Sequence, residues 1–169
     1  YAAGGVGGAI HLAAELFEAM AGVNIVRVRY ESAGQAFNEV LAGQVQLMFA
    51  PALGLMQHVK AGKLKALAVT SAQPSVLLPG LPTIAAAGLP GYEVVTIIGV
   101  FAPHKTPDAV IQRMNSELAK VLNRTDVKER FLAAGSETVG NSPAQFAAAI
   151  KSDIAIMGKV IRDAGIQAE

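Results

Sequence analysis

Cysteine is absent from this sequence, which removes disulfides, thiolate catalysis and cysteine-ligated zinc or iron together. Tryptophan is absent as well, and aromatic residues make up 5% of the chain. With so few platforms for stacking bases and no basic stripe to displace counterions, nucleic acid is not an expected partner. Fourteen Lys and Arg stand against thirteen Asp and Glu, a formal charge of +1, and neither sign forms a tail. No run approaches the roughly 18 to 20 continuous apolar residues that cross a bilayer as a helix. Even so, 52% of the 169 residues are apolar against 16% charged, a balance that sustains a packed core. The chain begins at Tyr1, not Met, and its opening residues read as the end of a strand entering a glycine loop. An upstream portion is therefore expected, and any targeting segment would lie there.

What is present alternates between two periods. Leu12, Leu16 and Met20 recur four apart and predict a helix from Gly8 to Ala21, stopped by Gly22. Asn24 to Tyr30 alternates as a half-buried strand, with Val26, Val28 and Tyr30 on one side. A second helix is expected from Gln35 to Ala42, then a strand through Val45, Leu47 and Phe49, a helix from Ala52 to Ala61 and a strand from Leu64 to Thr70. This order predicts an α/β fold built on mainly parallel sheets flanked by helices. Pro74, Pro79, Pro82 and Pro90 break the chain between Ser71 and Gly91, the expected linker, in which Thr83 would cap a short helix ended by Gly88. Tyr92 to Phe101 reads as a long crossing strand. Thr106 and Pro107 should open a helix with the stripe Val110, Met114, Leu118 and Val121 or Leu122; Thr125 should cap another, and Glu137 to Val139 should add an edge strand. Ser142 and Gln145 form a capping box for a last helix with the stripe Phe146, Ile150, Ile154, Met157 and Ile161, ended at Gly165.

The residues that bear on chemistry gather in loops. Ala3, Gly4, Gly5, Val6, Gly7 and Gly8 lie directly before the first helix, so unhindered backbone N–H groups converge where the helix dipole is positive, a place for an anion. The alternative is a tight turn that binds nothing. Ala9 and Ile10 stand where a phosphate-binding P-loop needs Lys and Ser or Thr, and no acidic residue closes the next strand as a dinucleotide fold requires. Ser32, Ala33 and Gly34 form a second such loop, Ser32 being an N-cap, a ligand contact or both. In a parallel sheet both loops, and the corner at Ala50, share one edge. His11, His58 and His104 sit on separate segments, His11 reading as a structural residue or a ligand contact. No Gly-x-Ser-x-Gly elbow supplies a nucleophile, and Glu15, Glu18, Glu31 and Glu39 are expected on the solvated surface. No catalytic residue, metal site or cofactor is expected.

The run from Tyr1 to Leu12, ending Gly7-Gly8-Ala9-Ile10-His11-Leu12, resembles the Tyr-x-Ser-x-Gly-x-Gly-Ser-x-x-His-Leu segment of tripartite tricarboxylate transporter receptors, the Bug family. Tyr30-Glu31-Ser32-Ala33-Gly34, Gly43-Gln44-Val45, the run Lys60 to Thr70, Leu81-Pro82-Thr83, Gly88-Leu89-Pro90-Gly91-Tyr92-Glu93, Ala102-Pro103, Thr106-Pro107 and Asp163-Ala164-Gly165-Ile166 follow in register. The resemblance implies a two-lobed protein of the periplasmic-binding-protein type II kind. In it, residues 1–92 form most of the second ligand-binding lobe and residues 93–169 return to a first lobe that lies largely upstream. It implies a periplasmic receptor, not an enzyme, that takes a small carboxylate to the membrane components of a transporter. Its ligand contacts would be Ala3, Gly4, Gly5, Val6, Gly7, Gly8, His11, Ser32, Ala33, Gly34 and Ala50. Ala3, Val6 and Gly8 stand where the family tends to offer Ser, Asn and Ser, and Ala50 replaces a frequent Asp, so side-chain bonds to a ligand are fewer. An enzyme or module that holds a phosphorylated ligand on the glycine loop is the competing reading. Uncovered strand edges and apolar faces also predict a homodimer or domain swap.

Overall fold

The computed structural model describes residues 1–5 and 7–166. They form two compact units, one of Tyr1–Thr96 with the chain from Ile156 onward, the other of Ile97–Ala155.

In the first unit, strand β1 (Ala2–Ala3) pairs in parallel with β2 (Val28–Arg29), with Ala2 opposite Val28 and Ala3 opposite Arg29. On its other side β1 makes a parallel bridge from Ala2 to Met48. The lanes thus run in the order 28–29, 2–3, 48, with β1 central. Helix α1 (Ala9–Ala21) joins the first two lanes and α2 (Ala33–Leu41) carries the chain back across β1 to the third. The period-two alternation of a strand sends Tyr1 and Ala3 to one face and Ala2 to the other. Tyr1 and Ala3 pack with Ala14 of α1, flanked by Ile10, Ile25, Leu47 and Phe49. Ala2 packs with Ala36 of α2 and with Val45, flanked by Tyr30, Val40 and Met48. Alanine at positions 2 and 3 lets both helices lie close to the sheet, so each face is covered, as a parallel sheet requires. Helix α3 (Ala52–Lys60) follows, its His58 ring edge-on to Phe37 of α2 with centroids 4.8 Å apart.

The remaining chain of this unit is held by single bridges and an aromatic anchor. Val69 bridges Thr83 in parallel, and Val94 N–H donates to the Thr70 carbonyl. Tyr92 is fully buried; its hydroxyl donates to the Ala13 carbonyl at 2.9 Å, and its ring meets Phe17 edge-on. A buried tyrosine with its hydroxyl satisfied contributes both apolar area and a directional bond.

The second unit holds α4 (Asp108–Leu122), α5 (Thr125–Ala133) and the start of α6 (Pro143–Asp163). The capping box at α6 forms as expected: Ser142 N–H donates to Gln145 Oε1 at 2.9 Å and Gln145 N–H to Ser142 Oγ at 3.2 Å. Gly165, at φ 63°, ends the helix in the left-handed conformation.

Several expected elements differ. The strands predicted over 24–30 and 64–70 are regular only at 28–29 and at the Val69 bridge, and residues 92–101 and 137–139 form no strand. A β-branched run becomes a strand only against a ladder partner, and its propensity reflects packing more than backbone preference. Thr83 caps a turn, with Ala86 N–H on its Oγ1 at 3.0 Å, but no helix follows. The cap of α4 is Pro107 and not Thr106, and that of α5 is Arg124 and not Thr125. The α4 stripe Val110, Met114, Leu118 and Val121 is more than a third exposed at every position. On α6, Val160 is buried while Ile154 is 66% exposed.

Candidate functional site

A parallel ladder gathers strand ends on one edge. Here that edge carries the loop from Gly4 to Gly8 after β1, the turn from Glu31 into α2 after β2, and Ala50–Pro51 after the Met48 lane. The lane order reverses at β1, which makes the edge a topological switch point, the ordinary location of a binding crevice in open α/β sheets.

The first loop is built by glycine. Gly7 has φ 75°, a left-handed conformation that an L side chain resists. A methyl built on Gly4, Gly5 or Gly7 meets no atom within 4 Å, so the loop has open space where side chains would stand. Gly8 is the N-cap of α1 and offers no side chain to the first-turn amides. In the second loop Ser32 is an N-cap: its Oγ accepts Gln35 N–H at 3.2 Å, which satisfies one orphan donor of α2. Ser32, Ala33 and Gly34 are exposed, and Ala50 is half-buried at the end of the third lane. Val6 lies outside the described residues.

Two expected contacts face the interior. Ala3 is buried in the core and its carbonyl accepts Tyr30 N–H, so its side chain packs beneath the sheet. His11 is also buried. Its Nδ1 accepts Gly7 N–H at 3.0 Å, and its Nε2 lies 3.1 Å from Glu15 Oε1 and 2.9 Å from Arg27 Nη1. Burial and the Arg27 charge hold the imidazole below its usual pKa, against the pull of Glu15 and Glu18. The Gly7 amide is therefore already committed to protein, leaving Gly4, Gly5, Gly8 and the first turn of α1 to present the loop.

The glutamates on α1 differ from expectation. Glu15 accepts from the Tyr1 hydroxyl at 3.2 Å besides His11, and Glu18 Oε2 accepts Ile25 N–H at 3.0 Å. Both are half-buried members of a polar network, where solvated surface was expected. Burial and the Glu15 charge push the Tyr1 phenol well above its usual range. The sequence signal for this network was the four-residue spacing of His11 and Glu15 on one helix face, with Arg27 entering the adjacent strand. Among the described residues no group of three or more His, Cys, Asp or Glu is arranged to hold a metal, and no helix is long and apolar enough to cross a membrane.

Comparison with known proteins is decisive on family. The family model described as "Tripartite tricarboxylate transporter family receptor" matches residues 1–166. The chain belongs to this receptor family. Its members are periplasmic receptors and not enzymes, and its fold is the α/β fold of periplasmic binding proteins. Among relatives of the receptor, the UPF0065 protein in the tcbD-tcbE intergenic region of Pseudomonas sp. (strain P51) is 40% identical over 162 residues, 95% of this chain and 48% of its own length. This receptor chain thus spans about half of that relative. Among solved structures, R. palustris Rpa4515 with adipate superposes with a TM-score of 0.78 at 33% identity, over 98% of this chain and 56% of that one. The periplasmic binding protein BugD gives a TM-score of 0.75 at 31% identity, over 99% and 57%.

Proposed function

We propose that this chain carries most of one ligand-binding lobe of a periplasmic solute-binding receptor that captures a small carboxylate, a dicarboxylate foremost, for the membrane components of a tripartite transporter. The observation that carries the reading is the meeting of the Gly4–Gly8 loop, the Ser32–Gly34 turn and Ala50 on one sheet edge, two of them at helix N-termini, in a chain of this family. A carboxylate is the ligand such an edge suits, because backbone N–H groups and the helix dipole favour a concentrated negative charge without any cationic side chain. The relative seen with adipate supports a ligand with carboxylates at the ends of an apolar chain. The contacts are assigned to the backbone of Gly4, Gly5 and Gly8 and to Ser32, Ala33, Gly34 and Ala50. Residues 1–92 are assigned to the second lobe of the receptor and residues 93–169 to the return into the first, with capture by closure of the two.

Calorimetric titration of the protein with adipate, other short dicarboxylates, tricarboxylates and phosphorylated metabolites tests the reading. Saturable heat with a dicarboxylate or tricarboxylate is expected. Heat with a phosphorylated compound and with no carboxylate overturns it in favour of the competing class.

A further inference from the structure

We propose that His11 is a positioning residue that holds the glycine loop through the Gly7 amide and lets it go on protonation, so that capture of an anion weakens in acid. The ligand half of this statement rests on the carboxylate-binding reading above; the loop half does not.

The Gly7 bond selects the ring's tautomer. Gly7 N–H donates to Nδ1 at 3.0 Å, so Nδ1 keeps its lone pair and the neutral ring carries its proton on Nε2. That proton has an acceptor in Glu15 Oε1 at 3.1 Å. Arg27 Nη1, 2.9 Å from the same nitrogen, is also a donor, and Nε2 cannot donate to Glu15 and accept from Arg27 at once, so in the tautomer that Gly7 requires the Arg27 approach is a donor–donor contact and not a hydrogen bond. A second proton has one place to go, Nδ1, where it meets the N–H of Gly7. Two donors cannot share that bond. At 4% exposure the ring has no access to bulk water as a substitute partner, so the charged imidazole and the observed Gly7 geometry exclude one another.

The groups facing His11 come from three segments. Glu15 and Glu18 lie on α1, the Tyr1 hydroxyl reaches the ring's neighbourhood through Glu15, and Arg27 comes from the chain leading into β2. The carboxylates favour the charged ring; burial and Arg27 oppose it and prevail, which keeps the ring neutral near pH 7 and places its charging on the acid side of about 6.5. Gly7 stands at φ 75°, a conformation glycine leaves as readily as it adopts. Losing its amide partner therefore frees the loop at the turn that aims the remaining amides.

The test follows the amide and the ligand separately. In ligand-free protein the ¹H–¹⁵N resonance of Gly7 is followed between about pH 7.5 and 5, alongside the His11 ring. Expected is a large Gly7 shift with the midpoint of His11; a Gly7 amide that stays constant while His11 titrates overturns the proposal. Adipate affinity is then measured over the same range for the natural protein and for His11→Asn, whose side-chain carbonyl offers Gly7 an acceptor that never protonates. Adipate's own carboxyls titrate identically in both experiments and cancel. The natural protein should lose about tenfold in affinity relative to the variant on acidification, the worth of about one hydrogen bond. Parallel profiles overturn the link to capture. If adipate binds neither protein, the dicarboxylate or tricarboxylate that gives heat replaces it; if none binds at any pH, the carboxylate reading falls while the Gly7 titration still decides the loop. If His11→Asn does not fold, that same titration in the natural protein decides alone.

Discussion

Gly4 and Gly5 have open space where a side chain would stand, and neither has the positive φ of Gly7. Alanine at either position should therefore leave stability within about 0.5 kcal/mol of the natural protein. It would nevertheless put a methyl group above the amides assigned to the ligand. A loss of about tenfold or more in carboxylate affinity with an unchanged thermal midpoint is expected, from calorimetry and thermal unfolding respectively. Unchanged affinity in both variants would remove the loop from the binding site. Ser32 allows a sharper separation, because its cap and its proposed ligand contact respond to different substitutions. Ser32→Ala removes the oxygen that accepts Gln35 N–H and should cost about 1 kcal/mol. Ser32→Asp keeps the cap and suits the helix dipole, but sets a negative charge beside an anion. Stability retained with affinity lost is the expected outcome for Ser32→Asp; affinity retained would reduce Ser32 to a cap alone. At this scale the sequence was informative wherever glycine or serine had a local backbone task. It was uninformative for Ala3, whose direction depends on which face of β1 meets the core, a fact set by packing partners distant in the chain, and it left His11 open between a structural residue and a ligand contact.

Elements were legible in proportion to how locally they are determined. The capping box of α6 could be read from Ser142 and Gln145 because both donors and both acceptors lie within four residues. Helix α1 likewise announced itself through four-residue spacing, and α1, α2 and α3 through the glycines that follow them, Gly22, Gly43 and Gly62. Strands did not, since the run 92–101 has the composition of a strand but forms none. Towards its end that segment makes a close contact of another kind: Gly99 lies against the Phe146 ring, and a methyl group built on Gly99 would overlap it. Phe146 in turn stacks on Phe101 at 5.4 Å in a tilted pair. Gly99→Ala should therefore destabilise by about 1 to 3 kcal/mol through overpacking. Adding Phe146→Leu, which withdraws the ring, should recover part of the loss. Chemical denaturation of the two variants measures this coupling; if the effects simply add, the ring contact is absent in solution.

For the whole molecule, the first unit closes its sheet with a helix on each face, whereas the second leaves much of its apolar surface bare. Ile98 is 85% exposed, Phe101 74% and Val100 63%, and the α4 stripe is open along its length. The sequence announced that stripe correctly as a helical face; whether anything covers it is a property of the assembly and no local pattern encodes it. Adjoining exposed apolar side chains are unfavourable in water, and monomeric proteins rarely keep large contiguous patches of them. This chain should accordingly associate with copies of itself, its weight-average mass by light scattering rising with concentration. Ile98→Lys with Phe101→Lys should move the association to concentrations about tenfold or more higher, because docking would then have to desolvate charge. A mass that stays monomeric across the same range would overturn this expectation.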